Sequence, residues 1–131
     1  MPSVPHIDAK GKRLDAPHVF ILGSGASRAA FPNGDRNGKK VPLMQDLVEI
    51  VGLKPILGKY GIVEEITDFE SFYDGLVTSR EKPDLVTEIE RHVHDYFISL
   101  QLPDEATVYD YLILSLREKD LIATFNWDPF L

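Results

Sequence analysis

Cysteine is absent from the 131 residues, which excludes a disulfide framework, a thiolate metal site and a cysteine nucleophile. That absence suits a reducing cytoplasm, the expected location. Basic residues are also scarce: 14 Lys and Arg stand against 21 Asp and Glu, a formal net charge of −7. An extended polyanion would meet overall repulsion, so no nucleic-acid partner is expected. Long apolar runs are missing too. The segment 1–17 carries Pro2, Pro5, His6, Asp8, Lys10 and Lys12 where a signal peptide has its apolar stretch. No later run approaches the roughly 18 residues of a membrane span, so no membrane partner is expected.

The chain is of a size for one domain, with 44% hydrophobic residues. Residues 1–17 read as a flexible lead-in and 18–131 as the domain. Val19-Phe20-Ile21-Leu22 is a short apolar run ended by Gly23; its lack of alternation predicts a strand covered on both faces. Arg28 to Phe31 reads as a first helical turn with Ser27 near its N-cap. Residues 32–40 read as an exposed loop able to close over a ligand. Pro42 opens an amphipathic helix that runs to Val51 and is stopped by Gly52, after which Pro55, Gly58 and Gly61 mark an irregular connection.

Asp68 caps a helix bearing Phe69, Phe72, Tyr73, Leu76 and Val77. A longer helix starts near Pro83, with Leu85, Ile89, Val93, Tyr96, Phe97 and Leu100 on its inner face. Pro103-Asp104 opens a fourth segment whose Val108, Tyr111, Leu112, Leu114, Ser115 and Leu116 predict substantial burial. Leu121 to Phe125 reads as a second strand leading into Asn126-Trp127-Asp128-Pro129, where Asp128 caps a helix beginning at Pro129. The order of strand, several helices and strand indicates α/β.

A strand ending in Gly-x-Gly and feeding a helix offers backbone N–H groups and a positive helix end to a pyrophosphate. Gly23 and Gly25 allow that approach and Ser27 adds a hydroxyl, while Arg28 stands where the third glycine of Gly-x-Gly-x-x-Gly would be. As a bare pattern it serves a structural turn equally well. The dehydrogenase form also needs an acidic residue about 20 positions on, at a strand end. Asp46 has the spacing, but lies within the predicted helix, which argues against an ordinary dehydrogenase.

Gly23-Ser24-Gly25-Ala26-Ser27 resembles the Gly-Ala-Gly-x-Ser loop of sirtuins and sirtuin-like NAD-cleaving enzymes, with Ser24 in place of the alanine. Thr124-Phe125-Asn126-Trp127-Asp128 resembles the family's Thr-x-Asn-x-Asp motif. Phe125 departs from the glutamine of protein-deacylating sirtuins, and Trp127 stands where Ile or Tyr is usual; both departures lean toward the NAD-hydrolysing branch. Val41-Pro42-Leu43-Met44-Gln45-Asp46-Leu47 resembles that branch's Gly-x-Pro segment, and Asp68-Phe69-Glu70 its Phe-Glu element. Arg36 offers a rival register, matching the spacing of the sirtuin Pro-Asp-x-Arg arginine. The two registers stay open at this point.

The resemblance spans residues 18–131, the front part of such a domain. It implies an α/β fold with a partial Rossmann-like (sirtuin-like) parallel sheet and a helical insertion between the first two strands. It further implies that Gly23, Ser24, Gly25, Ala26, Ser27, Thr124 and Asn126 bind NAD and that Asn126 and Asp128 are catalytic. An Asn amide positions a water or a ribose hydroxyl; a carboxylate accepts from the nicotinamide amide and stabilises positive charge developing on the sugar. Neither role requires a metal, and none is expected. The implied activity is an NAD glycohydrolase that releases nicotinamide, of a bacterial antiviral-defence or stress type. The family's catalytic His follows the Thr-x-Asn-x-Asp motif, so His18, His92 and His94 are not carried over. The chain alone is therefore expected to bind NAD poorly and cleave it slowly or not at all.

Plainer readings stand beside these. Asn126 and Asp128 before Pro129 also suit an Asx turn or a helix cap. His92 and His94, two apart on a helix, point in different directions and read as solvated. The pairs Glu64 and Glu65, Glu88 and Glu90, and Asp104 and Glu105 lie near helix starts or on solvated faces. Tyr96, Phe97, Tyr109 and Tyr111 default to core packing. The alternative function is a non-catalytic module, a degenerate NAD binder or a chain that pairs with itself or another protein. An oxidoreductase or unrelated nucleotide-binding domain ranks third.

Overall fold

The structure, a computed structural model, describes residue 7, residues 9–11 and residues 16–131. Most of the expected lead-in at 1–17 lies outside the described residues. The elements run β1 (Val19–Leu22), α1 (Ser24–Ala30), α2 (Leu47–Val51), α3 (Lys54–Lys59), α4 (Phe69–Ser79), α5 (Pro83–Ile98), α6 (Val108–Ser115) and β2 (Leu121–Thr124). The two strands pair in parallel, Val19 opposite Leu121 and Leu22 opposite Thr124. The expected mixed α/β order is therefore present, with six helices between the strands among the described residues.

The core is helical. Leu85, Ile89, Val93 and Phe97 repeat every fourth residue along α5 and are all buried, the spacing that stacks side chains on one helix face. Helices α2, α3 and α4 pack on α5 and contribute Leu47, Leu57 and Phe69 to the same cluster, with Leu53 at the N-cap of α3. Asp68 caps α4 as expected, its carboxylate accepting the Ser71 N–H at 3.3 Å and hydroxyl at 2.6 Å.

Several local expectations are corrected. Helix α1 starts at Ser24, so Ser27 lies inside it and is fully buried rather than near its N-cap. Pro42 is buried ahead of α2, which begins only at Leu47 because Asp46 turns the chain by accepting the Leu43 N–H at 2.7 Å. The connection expected to be irregular forms α3, with Pro55 in its first turn and Ile56 and Leu57 buried. Helix α6 starts at Val108 rather than near Asp104, since the Asp110 carboxylate accepts from the Thr107 N–H at 2.6 Å. Asp128 heads no helix; its carboxylate accepts the Phe130 N–H at 3.3 Å, an Asx turn.

Two expectations of burial fail together. Val19 and Ile21 on β1 are 61% and 70% exposed, so one sheet face is bare among the described residues. On α6, Val108, Tyr111, Ser115 and Leu114 are exposed, Leu112 and Leu116 are half-buried, and Tyr109 alone is fully inside. The strand ends are nevertheless secured. The Asp120 carboxylate accepts from the His18 N–H at 2.9 Å and from Arg117 at its N–H and guanidinium. Arg117 beside it holds the Asp120 carboxyl well below the ordinary carboxylate range.

The 32–40 loop is pinned rather than loose. Asp35 is buried and accepts the N–H groups of Asn37, Lys39 and Gln101 at 2.8 to 2.9 Å. Burial pushes its carboxyl up, but these backbone donors outweigh that and leave it below the ordinary value. No helix among the described residues is long and apolar enough to cross a membrane.

Candidate functional site

Parallel pairing sets the ends of β1 and β2 side by side, and with them the two motifs that follow. Asn126 bridges the gap. Its amide nitrogen donates to the Gly23 carbonyl at 3.1 Å and to the Ser27 hydroxyl at 2.8 Å. A carbonyl only accepts, so the Gly23 contact fixes which end of the amide is nitrogen. Both amide hydrogens are thereby engaged, and the Asn126 carbonyl oxygen remains as the acceptor it can offer to a ligand. The Ser27 oxygen, accepting from Asn126, also shares a hydrogen bond with the Tyr109 hydroxyl at 2.9 Å. Burial, with the charge of Asp128, pushes that phenol above its ordinary value against the opposing Ser27 hydrogen bond.

A cavity of about 280 Å³ opens in front of this junction, lined by Gly23 and Ser24 from the first motif and by Phe125, Asn126, Trp127 and Asp128 from the second. Val41, Pro42, Met44, Phe69, Glu70, Tyr73 and Phe97 complete the wall. Two carboxylates, Glu70 and Asp128, thus lie among its lining residues with no Lys or Arg. Gly23 has φ −110°, and neither it nor Gly25 has a positive φ. A Cβ built on either would meet nothing within 4 Å. The chain's own packing and backbone therefore do not require glycine at either position, and the space a side chain would fill is left open.

The expected site residues divide accordingly. Gly23, Ser24, Asn126 and Asp128 line the cavity, and Gly25 is exposed next to Ser24. Ser27 is buried and committed to Asn126 and Tyr109, so it positions the amide from behind. Ala26 packs against the core. Thr124 accepts the Asn126 N–H through its hydroxyl at 3.1 Å and shapes the turn. Of the residues in the two rival registers, Val41 and Pro42 line the cavity, whereas Arg36 lies elsewhere, paired with Asp104. His92 and His94 are exposed on α5.

Sequence reasoning missed the part played by Arg28. Its guanidinium donates to the Val41 carbonyl at 2.5 Å and to Asp46 at 2.7 Å, fixing the Val41-Pro42 wall against α1. Asp46, with the spacing of a ribose-binding acid, is thereby occupied as a structural anchor. The signal lay in the replacement of the third glycine by a long cation. Tyr109 was correctly read as a core residue; its hydroxyl link to Ser27 left no mark in the pattern. No family model, curated protein or solved structure matches the chain.

Proposed function

We propose that this chain forms the glycine-loop and Asn-x-Asp side of an NAD site in a Rossmann-like, sirtuin-like domain, and that the domain hydrolyses NAD with release of nicotinamide. The observation that carries the reading is the single cavity lined by residues of both motifs, with its glycine backbone uncovered. Its volume falls just below the roughly 300–1,000 Å³ usual for ligand pockets. It suits one end of a dinucleotide rather than the whole.

Charge selects the end. The carboxylates of Glu70 and Asp128, uncompensated by a basic side chain in the lining, favour the cationic nicotinamide riboside. The exposed backbone at Gly23 to Gly25 is left for the phosphates. Hydrolysis breaks the bond between the ring nitrogen and the ribose carbon and puts a water oxygen on that carbon. In this reading the Asn126 carbonyl oxygen orients a ribose hydroxyl or that water, and Asp128 stabilises positive charge developing on the sugar.

Trp127 is the only tryptophan and lines the cavity, so its fluorescence reports occupancy. NAD should change it saturably, and Gly25→Val, at a position where a Cβ meets nothing within 4 Å, should weaken binding at least about tenfold, or about 1.4 kcal/mol. Nicotinamide release by the domain to which the chain contributes, measured by chromatography, should fall in Asn126→Ala. No saturable response to NAD, or equal affinity in Gly25→Val, sinks the reading. The bare apolar residues of β1 and α6 favour a second reading, a non-catalytic module that pairs with another copy or another protein. NAD binding with no nicotinamide release from any form of the protein would select it.

A further inference from the structure

Beside the candidate site lies a second hollow of about 480 Å³, bounded by α4, α5 and the turn that carries Trp127. Its rings stand at two different attitudes. Phe69 and Tyr73 stack with centroids 5.9 Å apart, while Phe97 and Trp127 meet edge to face at 6.0 Å. Among the lining residues the one carboxylate is Glu90, and no Lys or Arg is present. Glu90 accepts the Tyr73 hydroxyl at 2.5 Å. That bond pushes the Tyr73 phenol up to about 12, so it stays a neutral donor beside the carboxylate. The remaining titratable wall group, His94, is largely exposed, with its ring 3.3 Å from Asp95.

Aromatic faces carry the negative part of a ring quadrupole and attract a desolvated cation. A nearby carboxylate adds to that attraction, and here no basic side chain in the wall cancels it. A neutral apolar guest would gain from the rings but draw nothing from the exposed Glu90 carboxylate. Trp127 is 52% exposed, so its ring is available to such a guest. We propose that this hollow binds an organic cation of the quaternary ammonium class, held by Tyr73 and Trp127 with its charge beside Glu90.

The hollow shares Phe69, Tyr73, Phe97 and Trp127 with the wall of the candidate site, but occupancy is read without the dinucleotide, and Glu90, which lines the hollow and not the candidate site, separates the two results. Choline chloride and its uncharged counterpart of the same shape, 3,3-dimethylbutan-1-ol, provide the test, read by Trp127 fluorescence and by saturation transfer to the ligand methyl protons. Choline should bind at least about fivefold more tightly than the alcohol. Glu90→Gln, a change at an exposed position, should remove most of that preference and leave the alcohol unaffected. Trp127→Ala, followed by saturation transfer, should abolish choline binding with the fold intact by circular dichroism. Equal binding of the two probes, no transfer to choline, or an unchanged choline affinity in Glu90→Gln overturns the proposal.

Discussion

Helices α5 and α6 are both well supplied with apolar residues, yet they use them in opposite ways. On α5 four apolar positions, Leu85, Ile89, Val93 and Phe97, recur every fourth residue and all four are buried. On α6 they follow one another as Val-Tyr-Asp-Tyr-Leu-Ile-Leu, and Tyr109 alone is buried. Period rather than hydrophobicity selects a buried face: a stripe can be covered by one neighbour, whereas a helix apolar all round needs several. Strand β1 repeats the lesson, since its unbroken apolar run has a neighbour on one face and none on the other among the described residues.

The sharpest way to break this comparison is to cut the same side chain from each helix. Leu85→Ala, at a fully buried position of α5, should cost about 2–5 kcal/mol in urea denaturation. Leu114→Ala, at a position 82% exposed on α6, should change stability by no more than about 0.5 kcal/mol. Similar losses at the two positions would show that α6 is covered in solution. A smaller effect belongs to Tyr109→Phe, which removes only the hydroxyl bonded to Ser27 and should cost about 1 kcal/mol. A loss as small as that of Leu114→Ala would mean that α6 is tied in by the ring alone.

Acid gives the finest discrimination. Asp120 and Asp35 both titrate below the ordinary carboxylate value in the folded state. Their stabilisation is therefore complete above the unfolded value of about 3.9 and is lost as pH falls from there through the lower folded value. Asp120→Asn should flatten the acid limb of a stability profile while leaving the slope above about pH 6 unchanged. An acid limb identical to that of the unsubstituted chain would remove Asp120 from the account.

Much of the architecture was legible where local chemistry and tertiary packing agree. Val19 to Leu22, Asp68 before α4, Pro83 at the start of α5 and Leu121 to Thr124 all appear close to where the pattern placed them. The failures have physical causes. Pro55 and Gly58 look like breakers, but Pro is tolerated in a first helical turn and burial of Ile56 and Leu57 supports α3. At Pro42 the local preference for a helix start yielded to the Arg28 and Asp46 clamp, a contact between segments that no window of sequence contains. Within the site, the meeting of Gly23 with Asn126 followed from parallel strand ends. The inward turn of Ser27 did not, because α1 begins at Ser24 rather than at Arg28, and that earlier start exchanges a ligand-facing hydroxyl for a buried one.

Asp35 and Arg28 grip the two ends of one segment, the stretch that carries Val41 and Pro42 to the cavity wall. A segment held at both ends has already surrendered its conformational entropy during folding. An arriving ligand then meets a finished rim and needs no closing step before it is held. Association is governed by encounter and desolvation, and selectivity by which groups fit that rim at first contact.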